Sequence, residues 1–213
     1  MSLPSFAAVF FDFDGTLADN FDAIAAAVNH VRATRDLPAL TTPAVKTFVG
    51  RGIDYLVANT VPGGQLADDI ARYRDIFPKV MHTNTSLLPG AAEALIHLHA
   101  AGKKLALCSN KLSRYSRELL QFLKVADLFA AVLGPEDVGR PKPAPDMLLA
   151  AMKRLDVTPQ QTLYVGDMVV DIETARAAGV CVWVVPTGTN DRQTLAAAKP
   201  DRVLNSLHEL TEL

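Results

Sequence analysis

Two aspartates one residue apart, Asp12 and Asp14, end an apolar run and are followed at once by Gly15 and Thr16. In an extended chain, residues i and i+2 face the same side. The two carboxylates therefore project together, with Phe11 and Phe13 opposite. Carboxylates this close repel unless a proton or cation is shared between them. A hard divalent cation such as Mg²⁺, which takes oxygen ligands, resolves the repulsion. Gly15 permits a turn that a side chain would hinder, and Thr16 offers a hydroxyl and a backbone N–H to a bound group. Polar residues also end three later apolar runs or the loops beyond them. "LCSN" supplies Ser109 and Asn110, "GRPKPAPD" supplies Lys142 between two prolines, and "YVGDMVVD" supplies Asp167 and Asp171. Proline on both sides limits where the lysine can point.

Three carboxylates, a hydroxyl and an ammonium at one edge suit phosphoryl transfer through a covalent intermediate. A carboxylate can attack phosphorus to form an aspartyl phosphate. Mg²⁺ neutralises charge and orients the phosphoryl group. Donors such as Ser109 and Lys142 stabilise the equatorial oxygens. A second acid protonates the leaving oxygen and later deprotonates water.

The elements that must position these groups are legible as runs. Residues 7–11, 104–109, 130–134, 162–166, 180–185 and 201–204 are apolar nearly throughout, as suits strands covered on both faces of a parallel sheet. Helical patterns lie between them: 89–102, stopping at Gly102; 113–123, with Ser113 as N-cap; and the stretches beginning at Ala144 and Asp171. Alternating strand and helix implies right-handed crossovers and a doubly wound, Rossmann-like α/β core with a mostly parallel sheet. All the polar groups then fall at the carboxyl edge, where such sheets bind ligands.

Residues 18–87 read differently, as an inserted α-helical cap between core segments 1–17 and 88–213. Phe21, Ile24, Val28 and Val31 make one helical stripe. Thr42 caps a second helix with Pro43 at its first position, and two more helices follow. Pro78 is expected to kink or break the last of them.

The chain has 213 residues, 49% hydrophobic, with 21 Lys plus Arg against 23 Asp plus Glu. A net charge of -2 gives no electrostatic reason to expect nucleic acid or an anionic membrane as partner. No apolar run is long enough for a transmembrane helix, and the opening residues lack the pattern of a secretory signal. Cys108 and Cys181 sit in apolar runs and read as buried thiols of a reducing compartment, the cytoplasm.

Taken together and in this order, "DFDGT", "CSN", "RPKP" and "GDMVVD" resemble the four motifs of the haloacid dehalogenase-like hydrolases, and the helical insertion resembles that family's cap. The resemblance implies Asp12 as nucleophile and Asp14 as general acid/base. It implies Ser109 and Lys142 at the phosphate, and Mg²⁺ held by Asp12, the Asp14 backbone carbonyl and Asp167. Asp171 would support Lys142 or the metal's waters. Longer stretches, among them "TSLLPGAAEALIHLHAAGKKLALCSNK", lean toward the phosphoglycolate phosphatase branch. That implies a small phosphorylated metabolite as substrate, with Arg51 in "FVGRG" reaching its second anionic group. Sugar-phosphate phosphatases and pyrophosphatases of the family carry similar strings, and a phosphomutase would also have Asp12 and Asp14 but retain its aspartyl phosphate. Carbon–halogen cleavage has no need of an acid at position 14, and a receiver-type phospho-acceptor module lacks so large a helical insertion.

Overall fold

The computed structural model describes residues 6–213; the first five residues of the expected core segment lie outside the described residues. Six strands form one sheet: β1 (Ala8–Phe11), β4 (Lys104–Cys108), β5 (Ala131–Leu133), β6 (Thr162–Gly166), β7 (Cys181–Val184) and β8 (Arg202–Val203). Their order is β5-β4-β1-β6-β7-β8 and every pair is parallel. The order reverses at β1, so the crevice of this doubly wound sheet opens beside that strand's carboxyl end. Each strand falls within an apolar run of the sequence, because both sheet faces are covered. One face packs under Val9, Phe11, Leu105, Leu107 and Val165. The other packs under Phe10, Ala106, Cys108 and Tyr164.

Five helices connect these strands: α5 (Ala91–Ala100), α6 (Ser113–Phe122), α7 (Asp146–Leu155), α8 (Val169–Ala178) and α9 (Arg192–Ala197). Ser113 proves to be the first residue of α6 and not its cap. Its N–H and hydroxyl both donate to Glu136 Oε1, at 2.7 and 3.0 Å, so a glutamate from a distant loop does the capping.

Residues 21–80 hold four helices: α1 (Phe21–Ala33), α2 (Thr42–Lys46), α3 (Ile53–Thr60) and α4 (Leu66–Val80). The stripe of Phe21, Ile24, Val28 and Val31 is buried throughout. Thr41, not Thr42, caps α2 by accepting from the Ala44 N–H. Two very short strands, β2 (Ala18–Asp19) and β3 (Ser86–Leu87), pair antiparallel where the chain enters and leaves this segment. Two residues are too few to give a readable alternation.

The helix α4 runs through Pro78 to Val80 and does not break there. Proline removes the N–H that would bond the carbonyl of Arg74, four residues back. That carbonyl accepts from the Tyr115 hydroxyl instead, at 3.1 Å. No helix among the described residues is long and apolar enough to cross a membrane.

Candidate active site

Asp12 stands one residue beyond β1, and its N–H donates to Val165 O at 2.9 Å, which carries the β1–β6 pairing one step further. The side chain is buried, and Lys142 Nζ approaches its Oδ1 at 2.9 Å. The approach lacks hydrogen-bond alignment, so Asp12 Oδ1 remains a buried oxygen with no hydrogen-bond partner. Such an oxygen is costly unless something else satisfies it. Asp14, two residues on, accepts from Asn20 Nδ2 at 2.8 Å and pairs with Lys111 Nζ at 3.0 Å. The two aspartates thus have separate partners.

Lys142 is buried, with its Nζ 2.7 Å from Asp171 Oδ1 and 3.0 Å from the Tyr164 hydroxyl. Burial alone would lower its pKa, but the carboxylates of Asp12 and Asp171 outweigh burial and raise it. Asp171 is saturated: Oδ1 faces Lys142 and Tyr164, and Oδ2 accepts from the N–H groups of Asp167 and Met168. It orients Lys142 and closes the first turn of α8.

Asp167 ends the strand beside β1. Its Oδ1 accepts from the Thr16 hydroxyl at 3.0 Å and its Oδ2 from the Thr189 N–H at 2.8 Å. Burial, with the charges of Asp171 and Asp12, pushes its carboxyl well above the ordinary range. Oxygens of Asp12, Asp167 and Asp171 lie within 4.8 Å of one another. Against these three carboxylates stands one ammonium, Lys142. The backbone makes room for the group: a Cβ at Gly188 would meet Asp167 Oδ2 at 1.7 Å, and one at Gly15 would meet it at 2.8 Å.

Asp12 and Asp14 line a cavity of ≈ 40 Å³, which has room for only a few waters. Ser109 and Lys111 complete its polar floor. Ile24, Ile53, Leu56, Tyr73 and Phe77 supply an apolar roof from the helical segment.

A model of the haloacid dehalogenase-like hydrolases matches residues 9–185, most of the chain and every site residue named in this subsection except Gly188 and Thr189. The chain belongs to the haloacid dehalogenase-like hydrolases. Among its curated relatives, phosphoglycolate phosphatase of Nitrosospira multiformis is 32% identical, over 97% of this chain and 94% of that one. Phosphoglycolate phosphatase of Salmonella typhi is 34% identical, over 95% and 90%. A crystal structure from Bacteroides fragilis described as a haloacid dehalogenase-like hydrolase superposes with a TM-score of 0.87 at 31% identity, covering 97% of this chain and all of that one.

Within this hydrolase fold, three residues expected at the substrate have side chains engaged elsewhere. The Thr16 hydroxyl is buried against Asp167, because a buried donor takes the nearest carboxylate. The Asn110 amide donates to the carbonyls of Gly50 and Lys142 and accepts from the Lys142 N–H. It ties the helical segment to the lysine loop. Arg51 lies over the Tyr55 ring at 5.0 Å and lines a groove with Thr47, Lys142, Met168 and Glu173, not the cavity of Asp12 and Asp14. Its guanidinium finds an aromatic face outside and would meet an apolar roof inside.

Sequence reasoning missed Asn20, Lys111, Tyr164 and Thr189. Lys111 was the most accessible of them, since it directly follows Asn110 in the same strand-end loop. Tyr164 sits inside an apolar strand, and only the β1–β6 register, which pairs it with Phe10, brings its hydroxyl to the site. Thr189 belongs to a loop with no motif.

Proposed function

We propose that this protein is a Mg²⁺-dependent phosphomonoesterase that hydrolyses 2-phosphoglycolate through an aspartyl phosphate on Asp12. The observation that carries the reading is the Asp12 carboxylate itself. It stands at a cavity floor with a charged lysine 2.9 Å from an oxygen that no hydrogen bond claims. The curated relatives' phosphoglycolate phosphatase activity supports the substrate.

The residues present fit a magnesium ion. The donors are hard oxygens, the cluster carries excess negative charge, and Asp12 Oδ1 has an ion-pair neighbour but no hydrogen-bond partner. Asp12, Asp167 and the Asp14 carbonyl would hold the ion. Asp171, with both oxygens engaged, supports Lys142. Bound there, Mg²⁺ would neutralise the phosphoryl charge that otherwise repels an anionic nucleophile.

In the first half-reaction an Asp12 oxygen attacks phosphorus, the bond from phosphorus to the ester oxygen breaks, and Asp14 gives that oxygen its proton. In the second, Asp14 takes a proton from water, the water oxygen attacks phosphorus, and the bond to Asp12 breaks to release inorganic phosphate. Lys142 and Ser109 hold the equatorial oxygens in both. Residues 18–87 act as a cap on a core of 1–17 and 88–213, with Arg51 outside the cavity of Asp12 and Asp14. Two free thiols, Cys108 and Cys181, support residence in a reducing compartment such as the cytoplasm.

Phosphate release from 2-phosphoglycolate, sugar phosphates, nucleotides and pyrophosphate, with Mg²⁺ and with chelator, tests the reading. Strong Mg²⁺-dependent preference for 2-phosphoglycolate is expected. Preference for a sugar phosphate or pyrophosphate would overturn the substrate, and metal-independent release would overturn the chemistry.

A further inference from the structure

We infer that Lys111 selects the substrate, binding the carboxylate that a small phosphate ester carries beyond its scissile bond. The inference rests on the phosphatase reading above and adds to it the residue that recognises the leaving group.

The cavity over Asp12 and Asp14 is lined mostly by apolar and aromatic side chains, and Lys111 is the one cation among its lining residues. The lysine is held at the cavity wall: its side chain is 6% exposed and its ammonium sits 4.7 Å above the Phe77 ring. An ammonium has three N–H donors. Its one carboxylate neighbour among the described residues is Asp14, at 3.0 Å. Donors therefore remain for an incoming anion.

Position fixes what that anion can be. Asp14 is the acid that meets the ester oxygen of the leaving group, so a cation 3.0 Å from Asp14 lies near the leaving group and not at the transferred phosphoryl. The phosphoryl end already has Lys142, 2.9 Å from Asp12. The cavity is small, so the second anion must lie only an atom or two beyond the ester oxygen. A two-carbon phosphorylated carboxylic acid meets that requirement. An ester of the same length with an uncharged leaving group would leave the ammonium's remaining donors facing an apolar roof, and unpaired buried donors disfavour that complex. Arg51, the other cation expected to meet this group, lies over Tyr55 beside a different groove.

The test compares 2-phosphoglycolate with ethyl phosphate, which has a methyl group in place of the carboxylate. The readout is the ratio of their kcat/KM values in wild type, Lys111→Met and Lys111→Arg. Any change in Asp14 caused by losing its neighbour affects both esters and cancels in the ratio. The wild-type ratio should favour phosphoglycolate, fall about 10- to 100-fold in Lys111→Met, as expected for losing one charge-assisted contact, and recover in large part in Lys111→Arg. The loss should appear mainly in KM for phosphoglycolate. An unchanged ratio in a Lys111→Met protein of normal melting temperature overturns the inference while leaving the phosphatase reading intact. Absence of any wild-type preference for phosphoglycolate overturns both the inference and the proposed substrate.

Discussion

At the scale of single residues, the site is an arrangement of buried charge in which three carboxylates, Asp12, Asp167 and Asp171, face one ammonium, Lys142. Asp167 is the most revealing group. Its carboxyl is raised by burial first and by Asp171 and Asp12 next. A carboxyl whose folded pKa lies above the unfolded value of about 3.9 binds more protons folded than unfolded across that interval. Metal-free protein should therefore lose stability as pH rises from about 4 toward the raised value. Magnesium needs the ionised form, so its stabilising effect should grow in the same direction. Thermal melts should show a larger Mg²⁺-induced rise in Tm at about pH 7.5 than at about pH 5.5. Asp167→Asn should raise the Tm of the metal-free protein and abolish the Mg²⁺ effect; a metal-free Tm that falls, or a surviving Mg²⁺ shift, would contradict this. For Asp14→Asn, loss of general acid–base assistance should slow turnover by about 10²- to 10⁴-fold with little change in Tm. Steady-state assays on folded protein check it, and near-normal turnover would remove Asp14 from its role. The sequence made Asp12, Asp14, Ser109, Lys142, Asp167 and Asp171 legible because each ends a strand, lies in the loop beyond one or, for Asp171, opens the helix that follows. It could not show which side chains are already used. The Thr16 hydroxyl and the Asn110 amide are typical phosphate donors in isolation, and only the folded structure shows their partners.

At the scale of elements, strands were easy to read and helix ends were not. A strand buried on both faces is an apolar run whatever its neighbours are. A helix end depends on whichever group satisfies its free N–H or C=O groups, and here those partners come from far away: Glu136 at Ser113, and Tyr115 at the carbonyl freed by Pro78. The same long-range logic governs the segment around Gly50. Asn110 joins its carbonyl to both backbone groups of Lys142, and a Cβ on Gly50 would meet Met168 Sδ at 2.1 Å. Asn110→Ala should therefore cost about 1–3 kcal/mol of stability through unpaired buried groups. It should also lower kcat/KM for 2-phosphoglycolate and ethyl phosphate in equal proportion. Chemical denaturation and a two-substrate assay check both parts. A loss confined to one substrate, with stability unchanged, would return Asn110 to substrate contact.

At the scale of the whole molecule, the cavity lies between the sheet's carboxyl edge and the helical segment. Its ≈ 40 Å³ is small for a phosphate ester, so the proposed cap, residues 18–87, is expected to move away and return for each turnover. The antiparallel pair of Ala18–Asp19 with Ser86–Leu87 is where that motion should pivot. Hydrogen exchange should show protection around residues 17–20 and 84–89 rising with Mg²⁺ and a phosphate mimic, and solution scattering should show compaction; no change in either would remove the moving cap. The claim on which all of this depends is that Asp12 carries the phosphoryl group. The most direct measurement is acid quenching of Asp14→Asn protein with Mg²⁺ and 2-phosphoglycolate, followed by mass spectrometry of the peptide containing Asp12. The expected result is a phosphorylated Asp12, absent when Asp12→Asn is treated alike. Steady phosphate release with no adduct on that peptide, or turnover by Asp12→Asn itself, would contradict the mechanism.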